Sequence, residues 1–180
     1  MHKLDNINYL KSGNAVQQEA YRILTVYKVI HHLQNFTPVL AGTIPLEINI
    51  DTSDLDIVCY WQDKQTFKDT VSQYFSSFKN YNLREADING HASVIANFVI
   101  EDFEIEIFGQ NIPVTGQYGY RHMVIEYDIL QQKGEDFKDR IIELKKQGYK
   151  TEPAFAILLG LKNNNPYEAL LDYELHKNQH

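Results

Sequence analysis

Apolar positions recur along this chain in two rhythms, and the rhythm changes twice. From residue 15 to 33, Val16, Ala20, Ile23, Leu24, Tyr27, Ile30 and Leu33 return every three or four places, which is the spacing of a helix with one buried face. Asn14 stands before that run and Gln17 three places on, a pairing that caps a helix N-terminus. Thr37-Pro38 breaks the pattern, and Val39 to Ala41 and Ser53 to Tyr60 read as strands. Phe67, Val71, Tyr74, Phe75 and Phe78 then mark a second amphipathic helix over 65 to 79. From Leu83 the period falls to two. Asn89-Gly90 is a hairpin turn signal, Val94, Ala96, Phe98 and Ile100 share one face of a strand, and Glu101-Asp102 turns the chain into the strand Phe103 to Phe108. Beyond the loop of residues 109–119 the helical rhythm returns, over roughly 121–131, 137–147, 152–161 and 166–175. Mixed strands followed by helices predict an α+β fold. Residues 1–117 form its core, a mixed sheet backed by helices, and residues 118–180 form a helical extension packed on that core.

Two acidic residues interrupt a strand that is otherwise apolar. Asp54 and Asp56 lie one residue apart, so both side chains leave the same face while Leu55 points into the opposite layer. Carboxylates held this close repel one another unless a cation lies between them, and an all-oxygen pair suits a hard ion such as Mg²⁺. Ten residues separate Thr43 from Asp54. The Gly42-Thr43 turn supplies the complementary chemistry, because glycine lets backbone N–H groups approach an anion and the hydroxyl can donate to a phosphate oxygen. Further on, Phe103, Ile105 and Ile107 face the core, which leaves Glu104 and Glu106 together on the other face. Arg121, near a predicted helix start, is a candidate clamp for a triphosphate, with His122 beside it for proton movement.

Bulk composition narrows the partners. Net charge is −7, from 17 basic and 24 acidic residues, and the only basic cluster is Lys145-Lys146 with Lys150. Nucleic-acid surfaces need a positive stripe to exchange for counterions, so DNA or RNA is not the expected partner. No apolar run approaches the roughly 18 residues of a membrane span. The N-terminus carries no apolar signal core, which makes the cytoplasm the expected location. The single cysteine, Cys59, falls inside a buried strand and reads as a packed thiol.

The stretch from Ala41-Gly42-Thr43-Ile44-Pro45-Leu46 through Ser53-Asp54-Leu55-Asp56-Ile57 resembles the signature of the polymerase-beta-like nucleotidyltransferase superfamily, in which Gly-Ser or Gly-Thr precedes a paired-Asp strand. Within that superfamily it also resembles an uncharacterised bacterial family known only as a domain of unknown function. The resemblance implies a nucleotidyltransferase-like mixed sheet and Mg²⁺ held by Asp54, Asp56 and a third carboxylate on a neighbouring strand. It implies transfer of a nucleotidyl group from a nucleoside triphosphate such as ATP to a hydroxyl of a small molecule or protein. Glu106 is the expected third carboxylate, ahead of Glu104, because it lies nearer the Gly109 loop. Most superfamily members carry Asp there, so a Glu departs from the pattern. Gly42, Thr43, Ser53 and Arg121 are the expected nucleotide-binding residues. The alternative is a non-catalytic member of the same fold that binds a nucleotide or a partner protein.

Overall fold

Five strands form one mixed sheet in the order β1-β2-β5-β4-β3, in a computed structural model that describes residues 2–162 and 165–177. The strands are β1 (Val39–Ala41), β2 (Leu55–Tyr60), β3 (Lys79–Ile88), β4 (His91–Ile100) and β5 (Phe103–Gln110). β1 and β2 run antiparallel, β2 and β5 parallel, and β5, β4 and β3 form an antiparallel meander. The expected neighbours Val39 to Ala41, Ser53 to Tyr60 and Phe103 to Phe108 therefore lie side by side. The parallel pair at the centre is joined by helix α3 (Lys64–Phe75) and the β3–β4 hairpin, since parallel strands need a long crossover.

One face of the sheet carries Leu55, Ile57, Cys59, Val94, Ala96, Phe98, Ile105 and Ile107. It is covered by α1 (Ala15–Val26), by the single turn α2 (Val29–His32) and by α3, which contributes Phe67, Val71 and Phe75. Phe75 stacks on Phe98 at 5.0 Å between ring centres, and Phe36 meets Phe67 edge-on at 4.9 Å. Removing a fully buried ring such as Phe67 costs about 3–5 kcal/mol. The opposite face, with Ala41 and Val58, packs against α4 (Tyr118–Lys133), α5 (Glu135–Lys146), α6 (Thr151–Leu159) and α7 (Pro166–Lys177). The paired aspartates belong to this second face. Residues 163, 164 and 178–180 lie outside the described residues, and among those described no helix is long and apolar enough to cross a membrane.

The capping box of Asn14 and Gln17 is present at the start of α1, but the helix expected over 15–33 is broken. α1 ends at Val26, Lys28 takes a left-handed conformation with φ +55°, and α2 begins at Val29. Thr25, Val26, Tyr27, Val29 and Ile30 are β-branched or aromatic and lose rotamer freedom in a helix, which weakens the ladder here. The break also shifts the buried face by one place. Val29 and Leu33 are fully buried and Ile30 is half-buried. β3 likewise starts at Lys79, four residues before Leu83. It is a polar edge strand with an irregular register between Lys79 and Asn82, so it carries no period-two apolar signal at its start.

Candidate active site

The loop after β1 is fastened at both ends and from both sides. Thr43 Oγ1 donates to Ser53 Oγ at 3.1 Å, and the Ile50 N–H donates to the same Ser53 hydroxyl at 3.0 Å, which ties the loop's entry to its exit. Ile44, Leu46 and Ile48 are buried. From α1, Gln17 Nε2 donates to the Ile44 carbonyl at 2.9 Å, and from α5, Lys145 Nζ donates to the Ile48 carbonyl at 2.9 Å. A loop held this way keeps Gly42, Thr43 and Ser53 in fixed relation to β2.

The sheet register sets out the acidic row. Ala41 pairs with Asp56, Asp56 with Glu106, and Glu106 with Asn97. Gly42 follows Ala41 with φ +78°, and a Cβ placed there would stand 2.3 Å from Asp56 Oδ2. Only glycine leaves room for the carboxylate. Glu106 Oε2 accepts from Asn97 Nδ2 at 3.1 Å. Burial and the charges of Asp54, Glu106 and Glu152 push the Asp56 carboxyl up to about 7, opposed by Lys145.

Helices α4, α5 and α6 close the cavity, and their chemistry is as marked as that of the strands. Gly119, His122, Met123 and Glu126 recur at helical spacing on α4 and line it. Lys145 enters from the end of α5, and Tyr149, Lys150, Thr151 and Glu152 from the turn into α6. Glu126 is 4% exposed, and its Oε1 is buried with no hydrogen-bond partner. Burial, and then Glu152, push its carboxyl well above the usual range, with Lys145 opposing. Burial pulls the Lys145 ammonium down to about 8 against the carboxylates of Glu126, Glu152, Asp54 and Asp56. His122 Nε2 donates to the Tyr167 carbonyl at 3.0 Å, which leaves Nδ1 3.6 Å from Glu152 Oε1. The cleft has a volume of about 540 Å³, within the usual range for a small-molecule site.

Gly42, Thr43, Ser53, Asp54, Asp56 and Glu106 all line this one cavity. Glu104 is exposed, pairs with Val99 and is not among the lining residues. Arg121 is not among them either. α4 begins at Tyr118 rather than near Arg121, and the helix face that meets the cavity carries His122 and Glu126. Glu126, Lys145 and Glu152 were not singled out from the sequence as site residues. A signal exists for two of them: Glu126 falls between Met123 and Ile129 on α4, and Lys145 follows Phe137 and Ile141 at four-residue steps on α5. A charge on an otherwise apolar stripe marks a buried polar role.

Asp54, Asp56 and Glu106 offer only oxygen donors, and Asp56 is raised first by burial and then by the carboxylates around it, which is a donor chemistry that suits Mg²⁺. Among the described residues no group of three or more His, Cys, Asp or Glu side chains is arranged to hold a metal ion.

The sheet order and its helical backing define a nucleotidyltransferase-like fold. The structure is similar to Cid1 poly(U) polymerase with MgGTP bound, at a TM-score of 0.52 and 9% identity over 71% of this chain and 41% of that one. It is also similar to a chain of the GLD-2/RNP-8 complex, at a TM-score of 0.52 and 10% identity over 79% of this chain and 56% of that one. The chain thus spans about half the length of these structures, and at such identities the likeness is one of fold. The chain belongs to the family described as Domain of unknown function (DUF4269), which matches residues 22–173. No curated protein matches it.

Proposed function

We propose that the protein transfers a nucleotidyl group from a nucleoside triphosphate to a hydroxyl of a small molecule or protein, with Mg²⁺ held by Asp54, Asp56 and Glu106. The observation that carries this reading is the convergence of Gly42, Thr43 and Ser53 with the three carboxylates on one cavity. When bound, the metal supplies positive charge that offsets the triphosphate and lowers the proton affinity of the acceptor oxygen. The Gly42 turn and the paired Thr43 and Ser53 hydroxyls hold the phosphates, Ser53 keeping its own proton to donate because its oxygen accepts from Thr43 and the Ile50 N–H. Lys150 adds charge from the same cavity, and Tyr149, 46% exposed at its rim, offers an aromatic face to a base. The acceptor oxygen attacks the α-phosphorus, the bond to the β-phosphate bridging oxygen breaks, and pyrophosphate leaves. The acceptor's proton passes to a carboxylate of the cavity.

A non-catalytic, nucleotide- or protein-binding role is the second reading. Incubation of the protein with Mg²⁺, α-labelled ATP and a small-molecule cell extract separates the two. Labelled products together with released pyrophosphate, both lost in Asp54→Asn, support transfer. Tight nucleotide binding with neither product supports the second reading.

A further inference from the structure

Glu106 differs from its two companions in reach. Its carboxylate stands one rotatable bond further from the strand than those of Asp54 and Asp56, so the backbone alone fixes its position less firmly. The next strand supplies a second hold. Asn97 on β4 pairs with Glu106 across the antiparallel ladder, and its Nδ2 donates to Glu106 Oε2 at 3.1 Å. Side chains paired in this way leave one face of the sheet with their Cβ atoms about 4.5–5.5 Å apart. Asp56 is the partner of Glu106 on the other side, on β2, so the amide meets the carboxylate from the flank away from the aspartates. Glu106 lines the cavity, whereas Asn97 is half-buried and not among the lining residues.

We propose that Asn97 is a positioning residue of this site: it holds the Glu106 carboxylate ready for Mg²⁺ without touching the ion or the nucleotide. The proposal rests on the assignment of Asp54, Asp56 and Glu106 as the metal ligands. Two features of the contact carry it. An ionised carboxylate only accepts, and its two oxygens offer about four lone-pair sites, so one bond at Oε2 leaves Oε1 free for an ion. A carboxamide donates without bringing a charge, so it orients the carboxylate and leaves its negative charge uncancelled. A lysine or arginine in the same place would orient it equally well but compete with the cation. Without the amide, the ion itself has to order a longer side chain, and affinity for the ion falls.

Mn²⁺ stands in for Mg²⁺ in the test, because both favour oxygen ligands in octahedral array and Mn²⁺ gives a free-ion electron paramagnetic resonance signal that is lost on binding. Titration of the nucleotide-free full chain with Mn²⁺ reads the protein's own ligands. Asn97→Ala is expected to bind Mn²⁺ about ten-fold more weakly than the parent, as is usual when a partner of a metal ligand is removed. Asn97→Gln, which keeps a carboxamide donor, is expected to stay within about three-fold. Thermal melts without metal show that each variant is folded. Where Asn97→Ala is not, Asn97→Val, which suits a strand, carries the same test. Parental Mn²⁺ affinity in the folded variant without the amide, or an equal loss in Asn97→Gln, overturns the role of Asn97 and leaves the metal site standing. No Mn²⁺ uptake by the parent, or uptake unchanged in Asp54→Asn, overturns the metal assignment beneath it and the proposal together.

Discussion

Replacing Gly42 by alanine imposes two separable penalties, and Gly90 provides the means to separate them. Both glycines have φ +78°, a conformation that costs an L-residue about 1–2 kcal/mol. A Cβ at Gly90 would meet nothing within 4 Å, whereas at Gly42 it would lie 2.3 Å from Asp56 Oδ2. For a chain of this size, about 1–2 kcal/mol lowers the melting midpoint by roughly 2–8 °C, and both variants should show that loss. Gly42→Ala must additionally displace the Asp56 carboxylate. A carboxylate at the end of its own side chain moves at small energetic cost, so the second penalty falls on binding rather than on stability. Mg²⁺-dependent affinity for ATP should drop by about ten-fold or more in Gly42→Ala, as expected for a misplaced metal ligand, and should be unchanged in Gly90→Ala. Thermal melts and calorimetric titrations on both variants check this. Equal melts together with parental nucleotide affinity in Gly42→Ala would falsify the claim that this turn is shaped around Asp56.

Glu106→Gln should abolish Mg²⁺-dependent ATP binding and Glu104→Gln should leave it intact, because Glu106 pairs with Asp56 inside the cavity while Glu104 is exposed beside Val99; a loss confined to Glu104→Gln reverses the assignment. A pH dependence follows from Asp56, whose carboxyl sits at about 7 when folded against an ordinary 3.8. Between those values the folded chain holds a proton that the unfolded chain has released, so the stability this group contributes is full below about pH 4 and is lost as pH rises through 7. Without metal, the melting midpoint of Asp56→Asn should therefore exceed that of the parent by a margin that widens from about pH 4 to about pH 8; a constant or narrowing margin contradicts the electrostatics of the cleft.

What could be read from the sequence was local, and what escaped it was assembled by packing. The alternation of Asp54, Leu55 and Asp56 announces two carboxylates on one strand face, and the same period in β5 puts Glu104 and Glu106 together. It does not say which glutamate stands beside Asp56. The parallel register supplies that answer by pairing Asp56 with Glu106. The break at Lys28 was hidden because apolar residues continue past it, and a helix that restarts one place out of phase still shows a three-to-four spacing. Glu126, Lys145 and Glu152 come from three helices and meet only once those helices cover the sheet. Arg121 shows how narrow a helix face is: residues one apart point roughly 100° apart, so its neighbour His122 lines the cavity and Arg121 does not.

The account stands on the claim that Asp54 and Asp56 bind a nucleoside triphosphate through Mg²⁺, and Asp54→Asn isolates it. Asp54 precedes β2 at the cavity edge and is partly exposed, so its replacement removes a ligand without emptying the core. Titration of a non-hydrolysable ATP analogue into the parent and the variant, each with and without Mg²⁺, reads the claim directly. The expected result is tight binding in the parent that requires Mg²⁺, lost in Asp54→Asn, with a melting midpoint at or slightly above that of the parent once carboxylate repulsion is relieved. Nucleotide affinity that is the same in both proteins, or indifferent to Mg²⁺, contradicts it.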